Sequence, residues 1–129
     1  MEEGRQVKKR YISVVTFKFV ILNVTWAKIR VKKKKETKRN HNVYCILVDG
    51  FAKSSPYGVY VGETSKAPEQ RFAVHKEGGR LAARRNKRFM CLLPGLYDRF
   101  NPLSREEAKE LEPLICEKLI ENDVRSFYG

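Results

Sequence analysis

The sequence predicts an α/β domain: a small three-stranded antiparallel sheet flanked by helices, preceded by a leader that is β-rich or extended. Three observations carry this reading. Val43–Val48 and Tyr57–Gly62 are short apolar runs rich in Val and Tyr, separated by turn chemistry, the pattern of a hairpin. Pro68 to Glu77 is bounded by helix start and stop residues. Ser104-Arg105-Glu106-Glu107 is a capping box that opens a final helix with a one-sided apolar pattern.

The chain has 129 residues, enough for one domain with a modest core. Its formal net charge of +12 points toward a polyanion or an acidic membrane surface. The charge is uneven. Residues 1–40 hold 13 Lys/Arg against 3 Asp/Glu, whereas residues 41–129 hold 14 against 12. Two regions follow: a basic, apolar-cored leader or arm over 1–40 and a nearly neutral domain over 41–129. Cys45, Cys91 and Cys116 are far apart and none forms a C-x-x-C pair. That argues against a disulfide framework or structural zinc site, and for free thiols in a reducing, cytoplasmic compartment.

Residues 11–31 are apolar and β-branched, with basic flanks. A membrane span needs about 20 apolar residues, and Lys18, Asn23 and Lys28 interrupt this run. A secretory signal fits poorly for the same reason. The segment reads either as a hairpin or extended arm, or as a leader outside the domain. No stable membrane association is expected. Flotation with anionic vesicles would test the rival, a surface tether through residues 11–31 and the lysines after them.

Residues 32–41 are charged and polar. Lys32, Lys33, Lys34 and Lys35, with Lys38 and Arg39, read as a nonspecific DNA-binding arm or as a charged linker; the near-neutral domain favours the arm. Val43–Val48 suits a buried strand. Asp49-Gly50 and Lys53 to Pro56 carry turn residues, and Tyr57–Gly62 reads as the second strand. Thr64 or Ser65 is the expected cap of the next helix, with Pro68 in its first turn and Gly78-Gly79 at its end. Arg80, Arg84, Arg85, Lys87 and Arg88 form a basic cluster that either tracks a DNA backbone or is a solvated loop. Phe89–Leu93 looks like the third strand.

At about 100° per residue, Ala108, Leu111, Ile115 and Leu119 of the last helix share one side. Glu106, Glu107, Glu110, Glu117 and Glu121 fall on the other, while Glu112 alone joins the apolar side. A buried carboxylate needs a cation, a set of donors or a proton. Pro113 sits inside this helix, where proline normally costs about 3 kcal/mol; a kink or a fresh start at Pro113 is expected.

The ordered set Asn42-Val43-Tyr44, Tyr60-Val61-Gly62, Arg71, His75 and Glu112 resembles the GIY-YIG nuclease family over residues 42–121, about two thirds of the chain. The Pro-Gly-Leu-Tyr and Asn-Pro-Leu-Ser-Arg-Glu-Glu-Ala segments look like one bacterial branch of it. The resemblance implies a GIY-YIG-like sheet and an endonuclease that hydrolyses DNA phosphodiester bonds. Its cofactor would be Mg²⁺ or Mn²⁺ held by Glu112. Arg71 would grip the phosphate bidentately. Tyr60 would be general base or orient the water, although a phenol near pKa 10 needs a nearby cation for that. Tyr44 would bond a phosphate oxygen or support Tyr60. His75, one turn after Arg71, would relay protons near its ordinary pKa of about 6.5. These oxygens, the guanidinium and the Glu112 carboxylate are expected to converge in one concave patch.

Two departures stand out. Asn42 replaces the usual glycine, and Pro113 directly follows the expected metal ligand. They ground a second reading, a nucleic-acid-binding module that keeps this fold without the chemistry. DNA is the expected partner in both. With no separate recognition domain visible, strong target specificity is expected to need a protein partner.

Overall fold

The computed structural model describes residues 38–50, 57–77 and 88–129. Residues 1–37 of the leader with Lys32–Lys35, the turn residues expected over Lys53 to Pro56, Gly78-Gly79 and Arg80, Arg84, Arg85 and Lys87 lie outside the described residues.

The described elements run β1 (Asn42–Asp49), β2 (Tyr57–Thr64), α1 (Pro68–Lys76), β3 (Arg88–Leu92), two short 3₁₀ turns (Pro94–Leu96 and Asp98–Phe100), α2 (Arg105–Glu121) and β4 (Ser126–Tyr128). They build an α/β domain whose four-stranded sheet has the order β3-β1-β2-β4. β1 pairs antiparallel with β2 and β3, and β4 lies parallel to β2. The expected three-stranded antiparallel sheet is thus a mixed sheet of four. The extra strand has three residues, too few to declare an alternating pattern.

Six consecutive β1 residues, Val43 to Val48, are buried because both faces of the strand are covered. Register divides the hairpin. Tyr44 opposes Gly62 and Ile46 opposes Tyr60, so these share one face; Val43 opposes Glu63 and Cys45 opposes Val61, so these share the other. α1 covers the first face, since His75 bonds Tyr44 there. α2 covers the second, where the buried Cys116 thiol neighbours Cys45. All three thiols are free.

β1 begins beyond the reach of β3, and the Asn101 side chain stands in for the missing strand. Its amide accepts from the Val43 N–H at 2.9 Å and donates to the Val43 carbonyl at 2.8 Å. His41 and Leu103 exchange backbone bonds of 2.8 Å just before it. Two residues earlier still, Arg39 Nε meets Glu107 Oε1 at 3.4 Å.

α2 opens with the expected capping box. The Glu107 N–H donates to Ser104 Oγ at 3.1 Å, and the Ser104 N–H donates to Glu107 Oε1 at 2.8 Å. Glu107 does not lie on a solvated face, as the angular projection has it; it is buried. Burial opposes its charge, but the Ser104 backbone donor and the Arg39 cation hold its carboxyl below the usual range. Pro113 neither kinks α2 into two elements nor starts a new one, and the helix runs unbroken from Arg105 to Glu121. The carbonyl that Pro113 leaves without an N–H belongs to the exposed residue Lys109, where water can serve it. Among the described residues no helix is long and apolar enough to cross a membrane.

Candidate active site

Tyr44 and Tyr60 are neighbours because alternation turns both toward α1. Their ring centroids are 6.1 Å apart. The Tyr44 hydroxyl lies 2.9 Å from His75 Nε2, and it also hydrogen-bonds Tyr60 and Arg71. Tyr44 is therefore the hub of a four-residue network drawn from β1, β2 and α1. Phe89 of β3 and Phe127 of β4 close the Tyr60 side, with centroids at 5.7 and 4.9 Å. The network is dry: Tyr44 is 1% exposed, Tyr60 2% and His75 2%.

Gly62 makes room for this arrangement. A Cβ at Gly62 would stand 2.5 Å from Cζ and Oη of Tyr44, so the Tyr44 ring lies directly over the glycine. α1 is docked through His75, its one buried residue. Its cap differs from expectation. Ala67, and neither Thr64 nor Ser65, is the N-cap residue, and Gln70 Oε1 accepts the Ala67 N–H at 3.2 Å. Thr64 Oγ1 instead accepts the Lys66 N–H at 3.0 Å, folding the β2–α1 loop. Asn42 holds that loop from the other strand, its Nδ2 donating to the Lys66 carbonyl at 3.1 Å. The residue that departs from glycine thus fastens the loop.

The electrostatics assign states. Burial, and then the neighbouring Tyr60, push the Tyr44 phenol well above its ordinary range, and the Arg71 bond and charge do not offset them. Tyr44 stays protonated. Burial, assisted by the Arg71 charge, lowers His75 to about 4, so it is neutral at physiological pH. The sequence expectation of a relay near 6.5 is corrected: His75 is a fixed, uncharged hydrogen-bond partner of Tyr44.

Arg71 faces two ways. It bonds Tyr44 behind it and lines an open cleft of about 470 Å³ in front. Glu63, Ser65, Lys66 and Arg105 share that cleft, with His41 at its side. Lys66 and Arg105 were not singled out in the sequence; each lies in a turn or a capping box that reads as purely structural.

Glu112 is not brought to the phenols. Burial first, and then the Glu63 charge, raise its carboxyl to about 7. Glu63 belongs to the α2 face and Tyr60 to the α1 face. Tyr44, Tyr60, Arg71 and His75 thus lie together, and Glu112 neighbours Glu63, a residue of the cleft lining. A helical projection identifies the apolar side of a helix, not the sheet face that it covers. Among the described residues no group of three or more His, Cys, Asp or Glu converges as a metal site. Arg88 is largely exposed, and its guanidinium bonds the Asp49 carboxylate.

Comparisons with family models, curated proteins and solved structures returned no match to this chain.

Proposed function

We propose that this chain is a GIY-YIG-type domain that binds DNA at the Arg71 cleft and hydrolyses its phosphodiester bonds with a divalent cation. The observation that carries the reading is the linkage of Arg71, Tyr44, Tyr60 and His75 immediately behind a cationic cleft. A packing role alone accounts for it poorly. A leucine at residue 75 would bury without the desolvation that holds this histidine neutral, and a perturbed titratable group near a cleft is a functional-site candidate.

In this reading Arg71 receives two oxygens of the scissile phosphate, the task its rigid fork suits. Tyr60, buried behind the cleft lining, orients or deprotonates an attacking water that enters from the Arg71 side. Tyr44, kept protonated, fixes the Tyr60 hydroxyl, and neutral His75 fixes Tyr44. Glu63 on the cleft lining and its neighbour Glu112 are the hard oxygen donors that would hold Mg²⁺ or Mn²⁺, which would relieve their mutual repulsion. When bound, such an ion neutralises charge on the phosphoryl and leaving oxygens.

A second reading, DNA binding without hydrolysis, is favoured by one observation: Glu112 borders Glu63 on the face away from the phenols. Supercoiled plasmid separates the two. Nicking that needs Mg²⁺, stops with chelator and is lost in Glu112→Ala supports hydrolysis. A folded wild-type protein that binds plasmid and never nicks it supports the binding module.

A further inference from the structure

The cleft holds more positive charge than one phosphate uses. Arg71 comes from α1, Lys66 from the β2–α1 loop and Arg105 from the first turn of α2, and all three line the same opening. Among the described residues neither Lys66 nor Arg105 enters an ion pair. Glu63 is the one carboxylate on the lining, and it faces His41, whose Nε2 lies 3.8 Å from its Oε2. Among the described residues no Phe, Tyr or Trp side chain lines the cleft, and they offer no platform for base stacking there. The Lys66 backbone is held on both sides, its N–H donating to Thr64 Oγ1 and its carbonyl accepting from Asn42 Nδ2.

We infer that Lys66 and Arg105 bind the backbone phosphates on either side of the one that Arg71 receives, so the cleft reads a nucleic-acid backbone without reading its bases. This rests on the DNA reading above, but not on hydrolysis. Two cations that share the opening with a guanidinium offer a short electrostatic track, and a lining without aromatic rings among the described residues makes that track indifferent to sequence. The cleft supplies register, because its loop is fixed.

The test is binding of fluorescein-labelled duplexes of several unrelated sequences by the full chain. Anisotropy is read across a salt series with chelator present, so that cleavage cannot interfere. Each of Lys66→Ala and Arg105→Ala should weaken all duplexes alike and lower the slope of log K against log salt by about 0.9. The double variant should lose about twice that. Arg105→Lys and Lys66→Arg should retain the wild-type slope. Arg125→Ala, a cation beside the opposite end of β2, is the control for nonspecific charge loss. A double variant that keeps the wild-type slope overturns the inference, and so does one whose loss matches Arg125→Ala. A loss confined to one duplex overturns the sequence-indifferent part. Lowered slopes in a protein that never nicks plasmid uphold this inference while hydrolysis fails. Nicking with unchanged slopes does the reverse.

Discussion

Replacing Gly62 with alanine probes the packing on which the phenol network depends. The new Cβ would meet Tyr44 Cζ and Oη at 2.5 Å, whereas ordinary contact begins at 3.4 Å, so the ring must retreat by about 0.9 Å. It has nowhere to go: Tyr44 is 1% exposed, and the Tyr60 and His75 rings stand 6.1 and 6.0 Å away, centroid to centroid. Overpacking of this kind costs about 1–3 kcal/mol. The displaced hydroxyl also gives up its 2.9 Å bond to His75, worth about 1 kcal/mol. Against this, alanine lowers the entropy of the unfolded chain, an offset of about 0.4–1 kcal/mol. Gly62 is not among the positive-φ glycines, so the backbone adds no strain. The clash wins, with a net loss of about 1–3 kcal/mol. For a domain of this size that lowers Tm by on the order of 10 °C. Thermal melts of Gly62→Ala in the wild-type and Tyr44→Ala backgrounds measure it. The loss should shrink sharply when Tyr44 is absent. An equal loss in both backgrounds, or no loss in the wild type, would refute the reasoning.

The two perturbed groups give opposite pH dependences. His75 is depressed from 6.5 to about 4, so its contribution is present above pH 6.5 and is lost as pH falls toward 4, at up to about 1.4 kcal/mol per pH unit; acid melts of His75→Gln should lack this part of the decline. Glu112 is raised from 4.5 to about 7, so its neutral form favours the fold below pH 4.5 and that advantage is lost as pH rises through 7. Glu112→Gln should therefore stabilise the protein at pH 8 and have little effect at pH 4, by thermal melts at both. Ser104→Ala removes the acceptor for the Glu107 N–H and should cost about 1 kcal/mol in denaturant unfolding.

What was legible in the sequence was local. The run Val43–Val48 announces a strand buried on both sides, Pro68 and Gly78 bracket α1, and Ser104 with Glu107 marks the first turn of α2. Each signal needs only neighbours in sequence. The pairing of Tyr44 with Tyr60 was legible too, because a period of two puts both on one face of a hairpin once its register is known. The features that escaped depend on distant residues. Glu107 looks solvated on a helical projection and is buried because Arg39, far upstream, comes to meet it. His75 looks like an ordinary titrating histidine and is neutral because Tyr60 and Phe89 enclose it, at 5.3 and 4.8 Å between centroids. Glu112 lies on the apolar side of α2 as expected, but that side rests on the face opposite the phenols. β4 needs the far edge of β2 to exist at all, since three residues cannot form a strand alone.

These misses share a cause that bears on function. Charge states and site membership are tertiary properties, set by which groups exclude water from which others. The tyrosine network is coherent as a proton-holding and positioning device, and Arg71 is its one member that reaches the cleft. Glu112 neighbours Glu63, which lines the same cleft.

The most direct measurement is the rate at which supercoiled plasmid becomes nicked circle with Mg²⁺ or Mn²⁺, for the wild type, Tyr60→Phe and Arg71→Lys, each first shown to melt like the wild type. The account predicts metal-dependent nicking by the wild type and a loss on the order of a hundredfold or more in both variants. Wild-type rates in Tyr60→Phe, or a folded wild-type protein inert with either metal, would contradict it.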